Sequence, residues 1–569
     1  MSRLHAHHTA RFGRRGARWA LEAIVVCFAA AIVAAAVADT RPPLPAAVER
    51  ALTLWPAVAI AVAALAIRVR LGVTRTGSGS WARETADVLC RVTILTILAA
   101  DLGLVLGNLV IACGGLDSAG YVGSARLFLA GRLVEYQPIV RVLPFADATA
   151  AAAPLGFVPA ATPEFIAPRF PPGLPLVMAA SMAIGGRIAP FFLPPVFAAA
   201  TVAIVFVMTR RMAGGLTAGL AAVMVATGPV FLDLSLQPMS DVPATFWLTA
   251  AGFLLWRPAP RPALGALAAG MAILTRPPLA LAVIAAGAVT AWPDRRRAVT
   301  FAGIVALFVG GLLALHARIF GHALASGYGS PGQVFTFSAL AEQTMLHVKW
   351  LLVVYTPLLV LLFAAGARAR RRLAGQAAIV FVATAVPYLI YAPRFDSWET
   401  SRFLLPGLPF VLMVCACGVT WLAKSDTRPV RARLVTALAA VGCAAASFWF
   451  TSTHHVFDLD VQEMKYAAVG NWFAKNTPPN AVAIASLHSG SLRIYSDRVT
   501  LRMEAIPGDL LLDTVRSLQR ASYVPYVVLE GGDEYEDYVR RFRPDGIPAL
   551  AVVPETRIRG VLILRLTAR

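Results

Sequence analysis

Apolar runs of about 20 residues recur along most of this chain, separated by short polar gaps, and that length lets a helix cross the hydrocarbon core of a bilayer. Runs at 20–38, 51–69, 90–113, 188–209, 214–232, 242–256, 263–276, 278–293, 299–319, 346–366, 375–392, 403–423 and 434–451 predict about thirteen crossings. They do not alternate with period two, which excludes a transmembrane barrel. The segment 174–187 is also apolar, but Gly185-Gly186 interrupts it, and it reads as a re-entrant or surface helix. From residue 452 the pattern changes. AVAIAS (481–486), RVTLRM (498–503), YVVLE (526–530), ALAVV (549–553) and GVLILRL (560–566) read as strands, and 461–475, 507–521 and 533–542 read as helices. This alternation predicts a small α/β domain with a largely parallel sheet. The expected fold class is an all-α polytopic membrane protein with a C-terminal α/β domain. Its parts are a basic tail (1–19), an extra transmembrane hairpin (20–69), a transmembrane domain (90–451) with a first outer loop at 114–187, and the α/β domain (452–569).

Composition agrees with this class. The 569 residues are 58% hydrophobic and 14% charged, unlike an ordinary soluble domain. A net charge of +20 would suggest a nucleic-acid partner in a soluble protein. Here the arginines sit in separate short gaps, such as Arg210-Arg211, Arg295-Arg296-Arg297 and Arg370-Arg371-Arg372, so the positive-inside rule explains the charge and nucleic acid is not an expected partner. With the N-terminus in the cytoplasm, every gap assigned to that side contains Arg or Lys, and the C-terminal domain falls outside. The six cysteines lie in or beside apolar runs and none lies in the tail, so the α/β domain must fold without disulfides.

The polar stretch 114–187 is too long for a tight turn and too polar to cross. It opens on Asp117, at the end of an apolar run; Tyr121, Ala125 and Leu129 follow at four-residue steps and would share one helix face with it. It closes in Arg169-Phe170-Pro171-Pro172-Gly173. The other outer pieces are 233–241 with Asp233 and Asp241, Arg276-Pro277-Pro278, 320–345, and 393–402 with Glu399 and Arg402. Function sits on such loops more often than on the spans beneath them.

Several motifs run in order along the chain: Asp117-Ser118-Ala119-Gly120-Tyr121 with Ala125 and Gly131; Arg169-Phe170-Pro171-Pro172-Gly173-Leu174-Pro175; Gln237-Pro238-Met239-Ser240-Asp241-Val242-Pro243; Leu274-Thr275-Arg276-Pro277; Phe320-Gly321 with Gly327-Tyr328; and Ser401-Arg402-Phe403-Leu404-Leu405-Pro406. Together they resemble the GT-C superfamily of integral-membrane glycosyltransferases, whose members include the protein O-mannosyltransferases and the lipid A aminoarabinose transferases. The resemblance covers residues 90–569. It implies a multi-pass protein of a bacterial-type inner (plasma) membrane. Such a protein would move a monosaccharide from a polyprenyl-phosphate donor to an extracytoplasmic lipid, glycan or protein, by inverting direct displacement. A phosphate leaving group needs preorganised cations, and the attacking hydroxyl or amine needs a base.

On that resemblance Asp117 is the base, and Asp241 a second acid that orients the acceptor or holds a divalent cation (Mg or Mn). Arg402, Arg276 and Arg169 bind the donor phosphate. Tyr121 and Tyr328, with Trp398, stack on sugar. Plainer readings stand beside these. Asp241 could simply cap the helix that starts at Val242, the arginines could be interfacial anchors, and the aromatics could belong to the membrane boundary. Asp233 reads as a solvated loop residue, Asp101 as a helix–helix hydrogen bond within a span, and His488 as a loop histidine over the site or without a role. For the whole chain, a transporter or lipid flippase and a non-catalytic scaffold are the alternatives. The acids cluster at one face and no internal repeat is visible, which favours the transferase.

Overall fold

The computed structural model describes residues 78–291, 294–423 and 429–569. The tail 1–19 and the hairpin expected at 20–69 lie outside the described residues. Each apolar run expected to cross after residue 90 coincides with a helix or a pair of helices. Among the described residues six helices are long and apolar enough to cross a membrane, and eight if two bent pairs each count as one span. The bent pairs are Gly215–Ala226 with Pro229–Ser235, at 61°, and Phe337–Tyr355 with Leu358–Ala369, at 84°. A proline stands at each break, Pro229 and Pro357, where its ring and missing N–H stop the helical ladder. Asp241–Leu255, Pro262–Thr275 and Ala280–Ala291 have 15, 14 and 12 residues. They rise only about 18–23 Å and fall short of a full crossing alone. Among the described residues, length and composition account for up to eight of the eleven crossings expected there.

The longest of the later helices, Arg295–Phe320, shows how its limits are set. Asp294 accepts hydrogen bonds from the N–H groups of Arg296 and Arg297 at 3.1 and 3.3 Å, satisfying two donors that a helix start leaves open.

The run 90–113 does not reach Asp117 as a helix. The helix Ser78–Gly107 ends first, residues 108–116 are irregular, and Asp117 begins a separate helix, Asp117–Leu129. The expected row of positions is buried at Tyr121 and Ala125, whereas Leu129 is exposed. The segment 174–187 forms the helix Gly173–Gly185. Thirteen residues rise about 20 Å, too short to span. Between these helices residues 130–172 hold a three-stranded antiparallel sheet in the order β1-β3-β2: β1 is Glu135–Tyr136, β2 Phe157–Pro159 and β3 Phe165–Pro168.

The C-terminal strands are β4 (Ala481–Ala485), β5 (Val499–Arg502), β6 (Val524–Glu530), β7 (Leu550–Ile558) and β8 (Val561–Ala568), in the order β5-β4-β6-β8-β7. β4 runs parallel to β5 and β6, but β8 is antiparallel to both β6 and β7. The sheet is therefore mixed, not largely parallel: β7 and β8 form a hairpin across a two-residue turn, Arg559-Gly560, both at positive φ.

The period of two along β4 divides the domain core. Ala481, Ala483 and Ala485 meet Val469, Phe473 and Leu492 on one face, while Val482 and Ile484 join Val515, Leu518 and Phe542 on the other. That second face is completed by the loop between Asp117–Leu129 and Gly173–Gly185, through Ile139, Leu143, Ala148, Ala151 and Ala152. Burying Ile139 and Leu143 contributes about 1.5–3 kcal/mol each. Residues 452–569 expressed alone should therefore keep a mixed circular-dichroism spectrum, but bind a hydrophobic dye and melt without a sharp transition. A cooperative, dye-free domain would show that the loop is dispensable.

Candidate active site

Two acids and two arginines from four elements meet outside the ends of the helices. Asp117 is the first residue of its helix. Asp241 is likewise the first residue of Asp241–Leu255; Ser240, not Asp241, occupies the capping position, and its side chain caps nothing. The Asp241 side chain turns to cations instead. Arg402 donates from Nε to Oδ1 and from Nη2 to Oδ2, both at 3.1 Å, and Arg276 Nη2 lies 2.7 Å from Oδ1. Arg402 Nη2 also donates to Asp117 Oδ2 at 3.0 Å. Asp241 is completely buried, and a buried charge persists only when paired and hydrogen-bonded. Here two carboxylates face two guanidiniums, and the charges cancel. Burial opposes the Arg402 charge, but the Asp241 and Asp117 carboxylates outweigh it and hold its proton well above the ordinary arginine range. Both guanidiniums also lie over the Phe403 ring, at 5.7 and 5.9 Å from its centroid. Ser240 ties the cluster to Tyr121, whose hydroxyl donates to Ser240 Oγ at 2.8 Å.

A cavity of about 520 Å³ opens on this cluster and is lined by Asp117, Tyr121, Arg169, Arg276, Tyr328 and Arg402. Trp398 is not in its wall; it packs against Phe450 and His454. The Arg169 guanidinium lies over Tyr328 at 5.4 Å, and Phe170 links Tyr328 to Tyr121 with centroid separations of 6.0 and 4.5 Å. Arg169 differs from the other two arginines: it has no carboxylate within ion-pair distance among the described residues, and its Nε is buried without a partner. Away from the charges the wall becomes apolar, with Phe128, Val309, Leu312, Leu313, Ile319 and Leu324. Several of these come from the C-terminal half of Arg295–Phe320, a span candidate whose surface is mostly outside the protein core.

The Pro171-Pro172-Gly173 turn has a steric purpose. A Cβ on Gly173 would stand 2.5 Å from Leu274 C and Thr275 N, so the turn lies directly on the backbone that presents Arg276. Two of the sequence motifs are thus one contact.

A divalent cation does not fit this donor set. Both oxygens of Asp241 already accept from arginines, and two guanidiniums stand where the ion would bring its charge. Among the described residues no three His, Cys, Asp or Glu side chains could hold a metal together.

Other candidates fall elsewhere. Asp233 is buried in the helix Pro229–Ser235, not solvated, and accepts from Gln237 at 3.4 Å. Asp101 is buried but makes no helix–helix hydrogen bond among the described residues. His488 is fully buried in the α/β domain, away from the cavity, with Nε2 3.2 Å from Glu530 Oε1. Burial opposes the charge on Glu530, yet His488 and Lys465 hold its carboxyl down to about 2. The sequence reading missed Ser240 as a junction, and it missed Tyr388, Tyr391 and Phe403 in the cavity wall. Ser240 and Phe403 sit beside Asp241 and Arg402 inside quoted motifs, and that adjacency was the available signal.

No protein-family model matches the chain, and no curated protein matches it either. Solved structures do. ArnT from Cupriavidus metallidurans bound to undecaprenyl phosphate superposes with a TM-score of 0.57 at 13% identity, over 86% of this chain and 98% of that one. The same protein in the apo state gives 0.54 at 14% identity, over 85% and 98%. The apo oligosaccharyltransferase of Archaeoglobus fulgidus gives 0.48 at 12% identity, over 78% of this chain and 69% of that one. The chain is a polytopic membrane protein, and its fold is that of the GT-C integral-membrane glycosyltransferases.

Proposed function

We propose that the protein transfers a monosaccharide from a polyprenyl-phosphate donor to an acceptor hydroxyl or amine. One observation carries this reading: two carboxylates, Asp117 and Glu399, and three arginines share a cavity whose far wall is apolar and lies against a membrane-span helix. ArnT, which has this fold, binds undecaprenyl phosphate. The lipid chain would lie along the apolar wall, with its phosphate at Arg169, which has no carboxylate partner among the described residues, and at Arg276. Asp117 would stand opposite. Its Oδ2 is held by Arg402, and Oδ1 has no hydrogen-bond partner among the described residues. In the proposed step Oδ1 takes the acceptor's proton as the acceptor attacks the anomeric carbon. The carbon–oxygen bond to phosphate breaks with its electron pair on the phosphate oxygen, where the arginines stabilise it. A single displacement inverts the anomeric centre. Tyr121 and Tyr328 would stack on the sugar, and Asp241 would act by fixing Arg276 and Arg402 in place.

The charge that a divalent ion would bring is carried by arginine in this reading. The test is transfer from radiolabelled undecaprenyl-phosphate sugars by the purified full chain in liposomes, with and without a chelator. Inverted product formed equally in both supports the reading; absence of transfer from every donor would remove it. We also place the cavity on the extracytoplasmic side, because the arginine-rich gaps lie at the opposite helix ends. Alkaline phosphatase fused after residue 455 should then be active, and fused after Arg372 inactive. The reverse pattern would put Asp117 in the cytoplasm.

A further inference from the structure

We propose that the C-terminal α/β domain is part of the catalytic apparatus, with Tyr466 and Tyr495 as positioning residues that fix the backbone immediately before Asp117. The proposal rests on the reading of Asp117 as base.

Residues 108–116 form no helix, so the ladder that would hold a helical Asp117 in place is missing on its N-terminal side. Something else must set its position. Two tyrosines from the far end of the chain do so. The Cys113 N–H donates to Tyr495 Oη at 2.9 Å, across 382 residues of sequence. The Tyr466 ring lies so close to Gly114 that a Cβ there would fall 1.9–2.3 Å from three ring atoms; only glycine leaves room. Gly114 then passes the constraint on. Its N–H donates to Ser118 Oγ at 3.0 Å, and Ser118 Oγ donates back to Gly114 O at 2.8 Å, closing a short loop around Asp117.

The tyrosines are themselves held. Tyr466 packs against the buried His488 ring at 4.6 Å, and its neighbour Lys465 pairs with Glu530 at 2.8 Å. Tyr495 belongs to the helix Ser489–Ser496, which Arg126 of the Asp117 helix clasps by donating to Ile494 O at 2.6 Å. Neither tyrosine lines the cavity, so neither touches substrate in the proposed pose. Docking of the domain is already provided by the loop residues that enter its core. The grip on 113–116 is a separate contact, placed where it governs the carboxylate.

The experiment uses the full chain in liposomes with the undecaprenyl-phosphate sugar that the wild type turns over, and undecaprenyl phosphate alone as the binding probe. Tyr495→Phe removes one hydroxyl; Gly114→Ala drives a methyl into the Tyr466 ring. Each should lower kcat by about 10–100-fold, the order expected when a reacting group shifts by up to an ångström. Kd for undecaprenyl phosphate and Tm should hold. Unchanged kcat in both Tyr495→Phe and Gly114→Ala overturns the proposal, as does a loss of kcat that only follows a loss of binding or of Tm. Should Gly114→Ala fail to fold, Tyr495→Phe decides alone. Asp117→Asn, run in parallel, separates the two readings. Wild-type transfer there removes the base and this proposal with it. An inactive Asp117→Asn beside fully active Tyr495→Phe and Gly114→Ala removes the positioning role only.

Discussion

Asp117→Asn should lower sugar transfer by about 10²–10⁴-fold, the range that removal of a general base typically costs. Asparagine keeps the shape of the side chain and can still accept the hydrogen bond that Arg402 Nη2 gives to Asp117 Oδ2. It cannot take the acceptor's proton. Binding of undecaprenyl phosphate should therefore survive, because Arg169 and Arg276 are untouched. Single-turnover transfer beside a binding measurement checks both parts. A variant with wild-type transfer would leave only the likeness of fold.

Arg402→Ala should act first on stability. It strips the completely buried Asp241 of its bidentate partner and leaves two carboxylates facing each other, with Arg276 as the remaining cation. Removing one partner of a buried pair costs about 3–5 kcal/mol, and the retained Arg276 contact puts this case at the lower end. Tm in detergent should fall, and transfer should fall with it. Adding Asp241→Asn to Arg402→Ala removes the buried charge and should recover much of the Tm but none of the transfer. Arg169→Ala should do the opposite: it should weaken undecaprenyl-phosphate binding and spare Tm, because among the described residues no carboxylate pairs with Arg169. A stable Arg402→Ala that has lost only lipid binding would exchange the roles of the two arginines.

Much of this site is legible in the sequence, for local reasons. Asp117 and Asp241 each start a helix beside an apolar run, and the Pro171-Pro172-Gly173 and Arg276-Pro277 turns announce themselves by composition. The C-terminal strands follow from runs of Val, Ile and Leu between turn residues. What escapes reading is pairing at a distance. Nothing local says that Arg402 will bridge Asp117 and Asp241, or that Ile139 and Leu143 belong to the core of a sheet formed hundreds of residues later. β1–β3 are two to four residues each, too short for an alternation to register. Asp233 looks solvated because its charge stands in a polar gap, yet it falls within the short helix after the Gly228-Pro229 break and is buried. The antiparallel placing of β8 had a signal, the two-residue Arg559-Gly560 turn, which the count of alternating elements overrode.

The bond from Cys113 to Tyr495 also sets an order of events during synthesis. At ribosomal speeds of about 5–20 residues per second, the 382 residues between them take roughly 20–80 s to make. Throughout that interval the segment before Asp117 exists without its anchor, and the apolar side chains of residues 139–152 have no sheet to cover. The nascent chain therefore carries Asp117 long before the residues that hold its approach are made. Closing so long a loop is also a large entropic step, which places assembly of this corner among the last in folding.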